Sequence, residues 1–445
     1  MIRPIKSERG QMLVLLSIVL VALLGFTALA IDGGMVFSNR RFAQNAADAA
    51  SLAGGGAASK ILEDPPGLSE PLIYEKFTCS DATVNAAKNA ALQAAINRGA
   101  SNAFTLDGDI TDKHGVEVTC VDDPAHFDKH IDVKVMVTQE TQTSFAHLFF
   151  NDALTGTVES IVRVRPRRSY AFGYAIASLS EDCGTKDGGV VLDGTSTIKV
   201  TGGGIFSNSC MSAGGTSLIV EVTPANPGDP QPGINLVDNE IVLSGNPSIS
   251  PAPVGNYAHM PVSVPEPPVE CVGATGGENI RINNGDVTVK SPGVYQDITV
   301  NNGGDLTLNA GTYCITGTVN IGGGTVVGNN VTFYMMNEDF GVTGGTVTLT
   351  SPAIDNINPM GGMLILMAES NHGNITLLGN GTSQFNGTVM GVNANIDAGG
   401  TSNVPQTFET QLIGQYVKVH GNAEIDIRFN DTQKSLLPTY IDLNK

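Results

Sequence analysis

The side chains of this chain that could do chemistry are six cysteines, seven histidines and scattered carboxylates. Cys79, Cys120, Cys183, Cys210, Cys271 and Cys314 form no C-x-x-C pair, and no histidine stands at zinc-ligand spacing from them. An even count on an outward-facing chain points to disulfides. Fifteen connectivities are open. The simplest is consecutive, Cys79–Cys120, Cys183–Cys210 and Cys271–Cys314, because each pair then falls within one unit of the chain. His126 and His130 stand four apart but lack the H-E-x-x-H of a metalloprotease helix, so they read as solvent-facing loop residues. Neither G-x-S-x-G nor G-x-x-x-x-G-K-[ST] occurs. Asp286, Asp297 and Asp305 are the acids that could line a polysaccharide-cleaving groove or hold calcium. No cofactor is expected, calcium at these acids being the one alternative, and no catalysis is expected.

Any such group must be positioned by a chain of unusual texture. Its 445 residues carry 24 basic and 43 acidic side chains, a formal charge of −19. That balance excludes a general nucleic-acid binder, which needs clustered Lys and Arg against phosphate. Charged residues are only 15%, and there are 53 glycines and no tryptophan. This favours a large, turn-rich, mainly β protein over a helical bundle.

The N-terminus differs from the rest. Residues 12–31, MLVLLSIVLVALLGFTALAI, carry no charge and as a helix would span about 30 Å of hydrocarbon. Arg3, Lys6 and Arg9 precede the run, which predicts a cytoplasmic N-terminus of residues 1–11 and an outward-facing remainder. Membrane lipid is then a partner through residues 12–31. The rival is a signal peptide cleaved at Ala28-Leu29-Ala30, but the apolar run exceeds the usual h-region.

Around this run stand Glu8, Arg9, Gly10 and Gln11, then Asp32 after Ile31, then Gln44, Asn45, Ala46, Ala47, Asp48, Ala49 and Ala50. The stretch over residues 7–56 resembles the TadE/TadG-like family of the tight-adherence (Flp) pilus assembly systems. The resemblance implies a bitopic, non-enzymatic envelope protein whose partners are Tad/Flp pilus components or an envelope polymer. Type IV-type prepilins are cut after a Gly followed by an apolar stretch with Glu at the fifth mature position. Gly10 stands where the cut would fall, but the fifth residue after it is Leu15, so an unprocessed anchor is expected. Some TadG-like proteins carry a von Willebrand A domain with a metal-dependent adhesion motif. Asp193-Gly-Thr-Ser-Thr resembles a degenerate version of it, but its second and third hydroxyl positions do not fit, and the following IKVTGGG reads as strand and turn where that domain needs a helix.

Beyond the span, residues 32–56 read as an extracytoplasmic helix. Phe42, Ala46, Ala49, Ala50, Ala53 and Ala57 form a stripe for packing on its own domain or on a neighbouring pilin-like helix. Gly54-Gly55-Gly56 should end or bend that helix. Residues 57–170 read as an α/β, pilin-like domain. Asp81 caps a helix over 82–98, strands cover 115–121, 131–139 and 157–167, and 144–151 is a short apolar helix. Arg163, Arg165, Arg167 and Arg168 form either a solvated strand face or a docking patch for anionic polymer.

From 171 to 445, short Val/Ile/Thr/Leu runs alternate with Gly and Asn turns, and a Pro-rich insertion occupies 224–268. The pattern predicts a right-handed parallel β-helix, with a β-sandwich as the alternative. In the β-helix, Val300, Leu306, Leu308, Val319 and Ile321 point inward. The function this predicts is a membrane-anchored, surface-facing TadE/TadG-like protein, structural or adhesive. The alternative is a membrane-tethered β-helical polysaccharide lyase or hydrolase.

Overall fold

Alanine is the best helix former and apolar residues continue the pattern, so the N-terminal segment folds as one helix, α1 (Arg9–Glu63). In the computed structural model, which describes residues 9–67, 71–145, 153–183, 189–354, 358, 360–400, 404–430 and 435–444, this helix of 55 residues is unbroken. Its first part is long and apolar enough to cross a membrane and is not buried by protein. Beyond it the fold is mainly β, with one large parallel sheet. The chain divides into two compact units. One comprises Met1–Asp122, Lys129–Pro166 and Thr439–Lys445, the other Asp123–Asp128 and Arg167–Pro438.

In the first unit α1 packs on α2 (Ala82–Ser101) and on the sheet. Asp81 caps α2, its Oδ1 accepting from the Thr83 N–H at 2.7 Å and the Val84 N–H at 3.3 Å. Val84, Ala87, Ala91 and Ala95 point inward. The buried face of α1 is Ala43, Ala46, Ala47, Ala50, Ala58 and Leu62. Of the expected stripe only Ala46 and Ala50 are fully buried, and Phe42 is exposed. In an alanine-rich segment neighbouring faces are nearly equivalent, so composition alone does not select the face.

The glycine triplet does not end α1 either. A Cβ on Gly54 would lie 2.8 Å from Val133 Cγ1 and 3.0 Å from the Ala91 carbonyl oxygen, and one on Gly55 2.4 Å from Val162 Cγ1. The missing side chains let the helix approach α2 and the sheet, and this packing outweighs glycine's weak helix propensity.

The sheet consists of β1 (Gly115–Asp123), β2 (Asp128–Thr141), β3 (Leu154–Arg165) and the C-terminal strand Tyr440–Asn444. Ile131, Val133, Val135 and Val137 alternate into the core, as period two requires. The C-terminal strand pairs antiparallel with β3, from Ile161↔Asn444 to Arg165↔Tyr440, although the sequence pattern places it with the β region from 171 onward. The apolar helix expected at 144–151 falls mostly on 146–152, outside the described residues.

The large sheet of the second unit contains only parallel pairings among the described strands, and they resolve into three ladders. In stacking order the first takes Glu278–Ile282, residues 298–300, Val319–Ile321, Phe340–Val342, Asn374–Leu377, residues 395–399, residues 416–421, Val190–Gly194, Met211–Gly215 and Ile241–Gly245. The second runs from Val287–Lys290 to Ser248–Ser250, the third from residues 293–295 to Ile234–Leu236. The stacking order is therefore 278 to 428 followed by 174 to 250.

The chain enters this stack in the middle, at Tyr174–Ser178, and winds out to one end. It crosses back through residues 251–277 to the far end and winds inward again. Gln406–Gly421 and Ile425–Arg428 then pair with Tyr174–Ser178, Val190–Gly194 and Thr197–Thr201.

Val300, Leu306, Leu308, Val319 and Ile321 all lie in the buried core of the ladders. The end strand Val287–Lys290 reverses the pattern. Thr288 and Lys290 stand in register with Leu306 and Leu308, while Val287 and Val289 face out at 76% and 60% exposure. Lys290 pairs there with Glu278, and an inward charge on an end strand discourages pairing with another chain.

Cys79 is bonded to Cys120, Cys183 to Cys210 and Cys271 to Cys314, with Cα separations of 5.7, 5.5 and 5.4 Å. These separations lie within the usual disulfide range. Cys271 belongs to the returning segment and Cys314 to the third ladder, so this bond fastens one to the other.

Candidate functional site

The polar residues around the apolar run of α1 are the most specific group in the sequence, and the structure gives several of them partners in the first unit. Asp32 is 5% exposed. Its carboxylate accepts from the backbone N–H of Ser144 at 2.7 Å and of Phe145 at 3.0 Å, holding the chain that leaves β2 against the helix. Two helix turns further along the packed face, the Asn39 amide donates to Thr141 Oγ1 at 3.0 Å. Gln44 Nε2 donates to Asp48 Oδ1 at 2.8 Å and to the Glu159 carbonyl at 3.2 Å. Ser51 and Ser160 share a buried hydroxyl hydrogen bond of 2.8 Å.

Ala46, Ala47 and Ala50 are buried between these contacts, Ala49 is half-buried and Asn45 is exposed. Arg9, Gly10 and Gln11 form the first turn of α1, and Glu8 lies outside the described residues. Of the described motif residues, Asp32, Gln44, Ala46, Ala47 and Ala50 thus face the rest of the first unit, while Asn45 does not. Asn39, Ser51 and Ser160 were not singled out in the sequence. For Asn39 and Ser51 the only signal is a small polar residue on the face of α1 one position away from the expected stripe, and Ser160 lies on β3 with no such signal.

Asp32→Ala should leave two amides without their charged acceptor, at a cost of about 1.5–3 kcal/mol. Hydrogen exchange at Ser144 and Phe145 should accelerate selectively, with exchange in α2 unchanged.

The other candidates separate. His126 is exposed, with Nδ1 2.8 Å from Asp123 Oδ2, while His130 is a buried strand residue with Nε2 3.3 Å from Asp132 Oδ2. The expectation of two loop histidines fails for His130 because the strand begins earlier, at Asp128. Asp132 stands opposite Arg163 in the β2–β3 register, and Arg163 Nε and Nη2 each donate to it at 2.9 Å. Burial pushes the Asp132 carboxyl up. Hydrogen bonds and charge from His130 and Arg163 outweigh this and hold it well below the usual carboxylate range.

Arg168 stacks on Phe172 at 4.1 Å and donates to Ser263 Oγ at 3.0 Å. Arg163 and Arg168 are therefore committed to partners within their own units. This counts against the arginine run as a free patch for anionic polymer.

Asp286 accepts from the Asn283 N–H at 2.8 Å in a turn. Asp297 Oδ1 accepts from the Thr318 N–H at 2.8 Å, bracing one strand against its neighbour in the first ladder, and Asp305 faces outward on the second ladder. Asp286 and Asp305 thus stand at the start of adjacent strands of the second ladder, the Asp305 N–H donating to the Asp286 carbonyl at 2.8 Å, while Asp297 lies apart, between residues 293–295 and 298–300. No group of three His, Cys, Asp or Glu suited to a metal ion occurs among the described residues. Asp193 and Gly194 end one strand and Thr197 begins the next, so the degenerate adhesion motif lies on strand and turn.

Residues 10–58 match the model of the family described as Flp pilus-assembly TadE/G-like. The match covers nearly all of α1, including the apolar run and the docked face. No curated protein and no solved structure matches the chain.

Proposed function

We propose that this chain is a single-pass membrane component of a Flp/Tad pilus or adhesion system. Residues 1–11 lie in the cytoplasm, and everything beyond residue 32 faces outward. The observation that carries the reading is the continuity of α1. A single helix holds the apolar run, the family-matching motif and the packed core of the first unit, so the membrane anchor and the external domain are joined without a linker. Three disulfides suit an oxidising compartment outside the cytoplasm.

Residues 57–170 serve as the α/β platform that meets pilus or envelope machinery. The second unit is read as a right-handed parallel β-helix displayed for structure or adhesion. Its three all-parallel ladders, with Val, Ile and Leu inward, support that architecture over a β-sandwich, whose sheets are antiparallel.

The test is envelope fractionation of cells making the full chain, with affinity capture from detergent extracts. The expected result is sedimentation with the membrane, protection of only a small N-terminal fragment from external protease, and co-purification of pilus components. A protein released by salt alone, or captured without any pilus component, would defeat the reading.

A further inference from the structure

We infer that the backbone turn at Ser144 and Phe145 is a second membrane contact, seating the Phe145 ring in the headgroup–acyl boundary of the bilayer through which α1 passes. The inference deepens the membrane reading above and rests on it. Asp32 directly follows the uncharged run of residues 12–31, so its carboxylate marks the level at which α1 leaves the hydrocarbon. That carboxylate holds the backbone N–H groups of both Ser144 and Phe145, and Ser144 Oγ lies 3.8 Å from Met35 Sδ. Whatever Phe145 presents therefore lies at the same level.

The Phe145 side chain is 39% exposed, so protein covers it only in part. Met35, one helix turn beyond Asp32, is exposed beside it. An aromatic ring at an interface keeps its apolar face in the acyl region. A buried carboxylate that ties two amides at this depth also spares those amides from facing lipid unpaired. The occupant these positions select is lipid, because the helix that fixes their height is the one that enters the bilayer.

The chain contains no tryptophan, so each introduced tryptophan reports alone. Three full-length variants in phosphatidylcholine–phosphatidylglycerol vesicles decide the matter: Phe145→Trp, Phe26→Trp and Tyr440→Trp. Phe26 lies within the apolar run. Tyr440 pairs with Arg165, at the opposite end of β3 from Leu154, which pairs with Thr141. That places it roughly 36 Å along the strand from the end near Ser144.

With lipid brominated near the headgroup end of the acyl chain, Phe145→Trp and Phe26→Trp should both lose emission, and Tyr440→Trp should keep it. Quenching at Phe26→Trp without quenching at Phe145→Trp would overturn the second contact and leave the span intact. Quenching at neither position would overturn the span itself, and the second contact with it. Equal quenching of Tyr440→Trp would show collapse of the domain onto lipid and would also overturn the assignment.

Discussion

Leu349→Asp is expected to cost roughly 4 kcal/mol or more, because it places an unpaired carboxylate in a dry column. Leu349 is fully buried in the second ladder, between Gly328 on one side and Phe385 on the other. Phe385 in turn stacks on Phe408 with ring centroids 5.8 Å apart. Each strand of a ladder contacts only its neighbours, so disorder should spread outward from this rung before it reaches more distant coils. Limited proteolysis of the full chain in detergent, mapped by mass spectrometry, should show new cleavage within 325–408 while α2 and β2 remain resistant. Asp305→Asn changes an outward-facing residue and should shift stability by no more than about 0.5 kcal/mol. Equal protease resistance of the two variants would refute the stacked core.

Two glycines two residues apart on α1 should respond with opposite sign. Gly54→Ala places a methyl group 2.8 Å from Val133 Cγ1 and 3.0 Å from a backbone oxygen of α2 that cannot move aside. Overpacking of this kind costs about 1–3 kcal/mol. At Gly56 nothing lies within 4 Å, so Gly56→Ala meets no obstacle. There alanine restores helix propensity and should stabilise by about 0.5–1 kcal/mol. Denaturant unfolding followed by circular dichroism separates the two. Shifts of the same sign would mean that the close approach of α1 to α2 and the sheet is not what these glycines provide.

The parts of this fold that were legible in the sequence are those decided by local physics. The Asp81 cap follows from its carboxylate accepting from the first-turn N–H groups, and the inward face of α2 and the alternation of Ile131, Val133, Val135 and Val137 follow from periods of 3.6 and 2. What escaped was decided by distant contacts. The face of α1 depends on which of several near-identical alanines meets α2. The glycine triplet looked like a stop because its packing partners, Val133 and Val162, lie far along the chain.

The ladders show the same division. Strand positions and inward residues could be read from the alternation, but the order of stacking could not. Nothing local in Ile425–Arg428 says that its neighbour is Thr197–Thr201. The reversal at Val287 and Val289 is visible only once Thr288 is known to lie against Leu306. The motif residues could be named from the resemblance, but the hydrogen bonds of Asp32 to Ser144 and Phe145 and of Gln44 to the Glu159 carbonyl could not, because those partners lie more than a hundred residues along the chain.

The mid-stack entry of the chain sets an order of events during synthesis. Strands 174–250 emerge first and can pair among themselves, but their inner edge has no neighbour until residues 406–428 arrive. The hydrogen bonds of Ser178 and Tyr174 to Gln415 and Gln411 each join groups 237 residues apart. The strand Tyr440–Asn444, which completes the sheet of the first unit, comes later still. Such long-range closure is slow and leaves a strand edge open to wrong partners while it waits. A chain stalled before residue 406 would therefore carry a half-built stack with an unpaired inner edge. Only residues 406–428 close it, so the stack cannot be completed until they have been made.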